Sequence, residues 1–376
     1  MDERNLELLR ETARAFARGT IGPVVMKYDE PQLFHGELIP PLAELGFLGA
    51  MIPESYGGAG LTPLEFTVLV EEISAVDPSV GLTLCAHNGL CLSHLNLFAT
   101  EEQKRRYLPD LCSGKKLGGW GLTEPGSGSD SAGMQTTATR DGSSWILNGS
   151  KAFITHGSAG STFVILAVTG KANGRNRISA FIVERGMSGF TQGKGENKLG
   201  MRSSDTAMIL FENVRVPAEN LIGAEGEGFL QAMEVLAGGR IGIAALAVGL
   251  ARGAFEASVR YAKERNQFGK PLAAHQAIQW KLADMATGIS AARLLTRHAA
   301  ELRGRGEPAS LAASQAKLFS SEMACRTAEE AVQIHGGYGF IKEFPVEKLY
   351  RDVKLLTIGE GTSEVQRMII AKNILG

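Results

Sequence analysis

At 376 residues, with 39 basic and 40 acidic side chains, the chain is close to neutral and long enough for two to three domains with a large core. That balance, with no basic stripe, argues against a nucleic-acid partner held by phosphate neutralisation. The four cysteines (Cys85, Cys91, Cys112 and Cys325) have no C-x-x-C spacing and read as free thiols in a reducing compartment.

In chain order, Met1-Asp2-Glu3-Arg4 lacks the basic and apolar regions of a secretory signal, so the expected location is the cytoplasm, or the mitochondrial matrix for a processed eukaryotic form. Leu6, Leu9, Ala13 and Phe16 share one face of a first helix that Gly19 is expected to end. Thr62-Pro63-Leu64-Glu65 is a capping box opening a helix to about Ala75, and Thr100 with Gln103 repeats the device. Leu82 to Phe98 is apolar enough for a buried central helix. Residues 1–115 therefore read as a helical domain.

From Lys115 the pattern changes. Gln135–Arg140, Ser144–Leu147, Thr162–Val168, Ile178–Val183 and Ala207–Phe211 are β-like, and Asp141-Gly142 and Asn148-Gly149 read as hairpin turns. Residues 116–225 are thus expected to form a compact sheet or barrel domain. Helical periodicity returns over 229–264, 276–304 and 308–334, with shorter helices near 345–355 and 363–374, which predicts an antiparallel bundle over 226–376. The apolar run Ile241 to Ala251, closed by Arg240 and Arg252, is far short of the roughly 18 residues a membrane span needs, so no membrane insertion is expected. The fold class is α+β, multidomain: helices, then a β domain, then a helical bundle.

Nucleotide-loop, zinc-protease and nucleophile-elbow signatures are absent, and His87 and His94 lack a third ligand, so no metal site is expected. What remains is Ile358-Gly359-Glu360-Gly361-Thr362-Ser363-Glu364-Val365-Gln366-Arg367. A carboxylate between glycines, at the mouth of a helix that Thr362 or Ser363 can cap, suits proton abstraction from a carbon acid. Alone, Glu360 would read as a solvated turn residue. Four further segments change that reading: Trp120-Gly121-Leu122-Thr123-Glu124-Pro125-Gly126-Ser127-Gly128-Ser129-Asp130, Lys151-Ala152-Phe153-Ile154-Thr155, Arg265-Asn266-Gln267-Phe268-Gly269 and Gln333-Ile334-His335-Gly336-Gly337-Tyr338-Gly339.

In this order and spacing the five segments resemble the signature set of the acyl-CoA dehydrogenase family, over essentially the whole chain. The resemblance implies FAD as cofactor and the conversion of an acyl-CoA thioester to a trans-2-enoyl-CoA, in lipid or amino-acid catabolism such as fatty acid β-oxidation. Glu360 would take the α-proton while a hydride leaves Cβ for flavin N5. Around the flavin it places Trp120, Leu122, Thr123 and Ser129, with Phe153, Ile154 and Thr155 on the other face. Phe153 stands where tryptophan is usual. Arg265 would clamp the pyrophosphate. Phe268, Gln276, Gln333, Gly336 and Gly337 would hold the rest of FAD from a neighbouring subunit, and Thr362 and Glu364 complete the cofactor set. Ser129, Gly239, Arg240 and Gly361 fall on the substrate.

Some relatives carry the base at the position of Gly239; glycine there assigns it to Glu360, as in the short- and medium-chain type. The residue matching Ala237 is often acidic, and Gly359 replaces a common tyrosine, which should open the site. Straight short or medium chains and short branched chains both fit this pattern, with Leu84, His87, Leu90 and Leu236 as candidate pocket residues. The resemblance further implies an electron-transfer flavoprotein as acceptor and a homodimer or homotetramer. An acyl-CoA oxidase or flavin monooxygenase on the same fold, and a silent acyl-CoA-binding protein, are the competing readings; an oxidase is expected to carry an additional C-terminal domain, the glutamate opposes a monooxygenase, and the flavin and base segments oppose a silent binder.

Overall fold

The computed structural model describes residues 3 to 376; Met1 and Asp2, the start of the signal-peptide reading, lie outside the described residues. The first seven helices are α1 (Glu3–Phe16), α2 (Val25–Asp29), α3 (Ile39–Glu44), α4 (Pro63–Ser74), α5 (Pro78–Ala86), α6 (Ser93–Phe98) and α7 (Glu101–Cys112). Both capping boxes form: Thr62 accepts from the Glu65 N–H, Thr100 from the Gln103 N–H, and each partner side chain reaches back. Gly19 does not end the first helical run. The chain continues through a π turn, Ala17–Ile21, and a 3-10 turn before α2, because Ala17 and Ile21 are buried in the main core and hold the chain there. The central helix also differs from expectation. It starts at Pro78, capped by Asp77, and a π turn over His87–Leu92 separates α5 from α6. Such bulges often mark functional sites.

The β region contains β1 (Gly118–Gly121), β2 (Thr137–Asp141), β3 (Ser144–Thr155), β4 (Thr162–Ala172), β5 (Arg175–Glu184), β6 (Phe190–Gly195), β7 (Thr206–Pro217) and β8 (Leu221–Ile222). They form an eight-stranded sheet in the order β6-β7-β3-β2-β4-β5-β8, with β1 parallel to β4. Asp141-Gly142 does turn the β2–β3 hairpin. Asn148-Gly149 does not turn: it lies inside β3 as a bulge against β7, where Asn148 Oδ1 accepts the Asn213 N–H at 2.8 Å. Thr136 packs so close to Gly149 that an added Cβ would meet it at 2.7 Å, so the glycine serves close approach rather than reversal.

The last third holds α8 (Gly228–Glu264), a small hairpin of β9 (Asn266–Gln267) and β10 (Lys270–Pro271), α9 (Gln276–Gly304), α10 (Ser310–His335), α11 (Pro345–Val353) and α12 (Ser363–Leu375). Among the described residues α8 is the one helix long and apolar enough to cross a membrane, yet 83% of its most apolar window is buried inside the fold. It is a core helix, packed with α4, α5, α10 and α11 in one apolar cluster. Its N-terminal turns, with Ala232 and Val235, join Trp120 and Leu122 in a second cluster, so α8 physically connects the sheet to the bundle.

Candidate active site

Glu360 sits in the short link between a 3-10 turn, Lys354–Thr357, and α12. Thr362, rather than Ser363, caps α12, accepting from the Val365 N–H at 3.3 Å. The link is tight: Glu360 has φ +53° and Gly361 φ +94°. The Ile358 and Gly359 N–H groups donate to the Leu355 carbonyl, whereas the Glu360 N–H has no partner among the described residues. This left-handed backbone drives the half-buried side chain inward, against α8. There Glu360 Oε2 is buried with no hydrogen-bond partner among the described residues.

Gly239 makes room for that carboxylate. A Cβ at 239 would stand 2.2 Å from Glu360 Oε2 and 3.0 Å from Leu90 Cδ2, and Gly89 in the π turn crosses α8 at the same level. A glutamate rooted at 239 would therefore occupy the space that Glu360 fills from the C-terminal link. Burial raises the Glu360 pKa to about 7, opposed first by Lys317 and then by Arg240. Both cations are buried, and the Arg240 Nε is also without a partner. Arg240 is among the residues expected from sequence; Lys317, fully buried on α10 with its ammonium 2.6 Å from the Gly361 carbonyl, is not. Only its i, i+3 and i, i+4 company of small residues, Ala313, Ser314, Ser320 and Ser321, hints at burial in the sequence.

The Trp120–Asp130 segment starts as β1. Its glycines are required by packing, since a Cβ at Gly118 would meet Cys91 Sγ at 2.6 Å and one at Gly119 would meet the Phe163 ring at 2.6 Å. Trp120 faces the core instead of a cleft: its indole N–H donates to His94 Nδ1 at 3.1 Å, and His94 Nε2 then donates to Gln231 at 3.0 Å. Leu122 is buried in the same cluster as Trp120, against which the half-buried Leu90 and Leu236 also pack. Leu84 is fully buried in the main core, and His87 spends both ring nitrogens on Gly118 and Leu111. Of the pocket candidates, Leu90 is thus the one that borders Gly239, where the Glu360 carboxylate also lies. A groove of about 360 Å³ lined by Phe66, Asn88, Gly89, Leu97, Gly238 and Ile241 runs beside this crossing.

Thr123 is half-buried and held from both sides. Its carbonyl accepts the Ala152 N–H at 2.9 Å, and the buried Lys151 ammonium bonds Leu122 O at 3.1 Å and Glu124 Oε1 at 2.7 Å. Glu124 in turn accepts the Gln135 and Thr136 N–H groups. Directly after Lys151, β3 bulges, and the bulge turns Phe153 out: φ is +57° and the side chain is 68% exposed. Ile154 returns to the core, Thr155 is half-buried and Ser129 is exposed.

The remaining predicted residues lie elsewhere. Arg265 caps the far end of α8, 26 residues beyond Gly239, roughly 39 Å along the helix. Arg265, Phe268, Gln276, Gln333, Gly336 and Gly337 are all exposed, and no hydrogen bond or ring contact joins them to Thr123 or Phe153 among the described residues. Phe268, at φ +53° and 94% exposed, is strained and uncovered like Phe153. A bulky side chain in this backbone region costs about 1–3 kcal/mol. Two aromatic faces held out at that cost, an unpaired guanidinium over Tyr338, and two glycines with nothing within 4 Å of an added Cβ suit a flat, anionic dinucleotide. Glu364, on the first turn of α12, is exposed. No cluster of metal-ligating side chains occurs among the described residues, and the four cysteines are free thiols.

Comparison with known proteins gives this arrangement its family. Residues 3–115 match the profile described as acyl-CoA dehydrogenase, N-terminal domain; 119–214 match the middle domain and 226–375 the C-terminal domain. The chain is 46% identical to a short-chain specific acyl-CoA dehydrogenase of Clostridium acetobutylicum, over 99% of this chain and 98% of that one. It superposes on butyryl-CoA dehydrogenase from Megasphaera elsdenii with a TM-score of 0.96 at 44% identity, covering 99% and 98% of the two chains. A glutaryl-CoA dehydrogenase from Mycobacterium smegmatis, in complex with FADH2, gives 0.94 at 31% identity, over 100% and 95%. The chain belongs to the acyl-CoA dehydrogenase family, a family of flavoprotein oxidoreductases.

Proposed function

We propose that the protein dehydrogenates a short-chain acyl-CoA thioester to the trans-2-enoyl-CoA, with Glu360 as the base that takes the α-proton. One observation carries this reading: a buried carboxylate oxygen with no partner, presented by a left-handed residue into space kept free by Gly239. An α-proton of a thioester is weakly acidic, so the base must be strong enough at neutral pH and the enolate oxygen must meet donors. A base with a pKa near 7 meets the first need. The Glu360 N–H, which has no acceptor among the described residues, would meet the second. Arg240 and Lys317 add two buried cations around one carboxylate, which favours negative charge developing on the substrate.

FAD, when bound, supplies the two-electron acceptor for the β-hydrogen. Thr123, Leu122, Phe153 and Thr155 would hold its ring system, with Ser129 reaching the thioester. Arg265, Phe268, Gln276, Gln333, Gly336 and Gly337 would hold the pyrophosphate and adenosine. As the family resemblance implies, the second set would come from a neighbouring copy in a homodimer or homotetramer. Reducing equivalents pass on to an electron-transfer flavoprotein, as the family resemblance implies. The relatives named for short-chain and butyryl substrates favour a short acyl group.

The test is anaerobic addition of butyryl-CoA to the FAD-loaded protein. The wild type should bleach the flavin absorbance. Glu360→Gln should hold FAD and bind the thioester yet fail to bleach. Bleaching by that variant at the wild-type rate removes Glu360 as the base.

A further inference from the structure

We infer that Lys317 is a positioning residue for Glu360: its ammonium holds the left-handed turn through the Gly361 carbonyl, and its charge keeps the neighbouring carboxylate ionised. The inference rests on the proposed role of Glu360 and extends it to a residue outside the family signature segments.

Lys317 lies in the middle of α10 and is fully buried. Among the described residues no carboxylate comes within salt-bridge distance of its ammonium, whose hydrogen bond is to Gly361 O at 2.6 Å. A buried, unpaired ammonium is strongly disfavoured unless nearby charge compensates it. The facing anion is Glu360, which supplies the largest favourable electrostatic interaction on Lys317, as Lys317 does on Glu360. Burial still pulls the Lys317 pKa down to about 8. The other groups facing the pair are Arg240 on α8 and the Cys85 thiol on α5. Glu364 on α12 and Glu322 on α10 act on Lys317 from further out; Glu322 is already paired with Arg367 at 2.6 Å.

The Gly361 carbonyl has a second donor, Gln366 Nε2, at 2.9 Å. Two donors on one carbonyl hold a backbone segment whose left-handed residue is otherwise disfavoured. Only one of the two carries charge. Clamping and charge can therefore be separated by replacing each donor with methionine, which has similar length and no N–H.

The experiment compares the pH dependence of kcat/KM for butyryl-CoA with an artificial electron acceptor, in the FAD-loaded wild type and in Lys317→Met, Lys317→Arg, Gln366→Met and Glu360→Gln. A base must be ionised to act, so the wild-type rate should rise with pH through about 7. Losing a cation raises a carboxylate pKa, so in Lys317→Met the rising limb should move about one unit or more to higher pH. Lys317→Arg should return it toward the wild-type position. Gln366→Met should lower the rate and leave the limb in place. A Lys317→Met enzyme, folded and yellow, with the limb at the wild-type pH overturns the inference, as does an equal displacement in Gln366→Met. Should Lys317→Met not fold, Lys317→Gln is read by the same criterion. Full activity in Glu360→Gln defeats the functional reading itself, a result distinct from either.

Discussion

The two ends of α8 are built on opposite terms. At Gly239 the helix is buried, the carboxylate of Glu360 fills the space beside the glycine, and two buried cations act on it. At Arg265 the helix ends in exposed side chains: a guanidinium over Tyr338 with no ion pair among the described residues, an almost fully exposed Phe268, and glycines facing open space. One chain would, on the proposed function, complete the proton-removing site by itself and leave the cofactor-retaining surface open. On the proposed function, damage at the first end should stop chemistry with the flavin retained, and damage at the second should lose the flavin with the base intact.

The largest effect is expected from Gly239→Ala. The added methyl would fall 2.2 Å from Glu360 Oε2, and the flexible carboxylate rather than the helix would give way. Stability should change little. A base displaced by about 1 Å costs on the order of 100-fold in rate, so kcat for butyryl-CoA should fall by about that factor while FAD content stays at the wild-type level. A variant that loses flavin in step with activity would erase the proposed division of labour.

Arg265→Ala tests the other end and should have a smaller effect. A hydrogen bond to a charged group is worth about 1.5–3 kcal/mol, so FAD should bind the apoprotein roughly 10- to 100-fold more weakly, as measured by flavin fluorescence titration. If, as proposed, the site is shared between copies, the loss should deepen on dilution. At saturating FAD the rising limb of the pH profile should stay where it is in the wild type, since no interaction links Arg265 to Glu360. Unchanged FAD affinity would assign the exposed arginine another role.

Much of this architecture was legible from periodicity and capping. The bundle helices follow apolar spacing, and the Thr62 and Thr100 boxes mark their helices to within a residue. Residues that tertiary packing alone defines were not legible. β1 is Gly118-Gly119-Trp120-Gly121, a poor strand by composition; it pairs with β4 because glycines let Cys91 and Phe163 approach. Lys317 and Lys151 look like ordinary surface lysines, since burial of a charge depends on carbonyls and carboxylates brought from distant segments. The motifs located Glu360 and Gly239 separately; their contact across α8 required the fold.

The smallest expected effect separates fold from function most cleanly. Phe268 and Gly269 form the two-residue turn between β9 and β10, and both have positive φ, as a type I′ turn demands. Asparagine followed by glycine suits such a turn; phenylalanine does not, and here its ring is 94% exposed beside His275. Phe268→Asn should therefore stabilise the apoprotein by about 1 kcal/mol, seen as a small rise in the thermal midpoint. If the ring is held out for the cofactor, the same variant should bind FAD more weakly. A more stable protein with unchanged FAD affinity would detach Phe268 from the cofactor, and would leave Arg265 and the open glycines to account for the exposed end of α8.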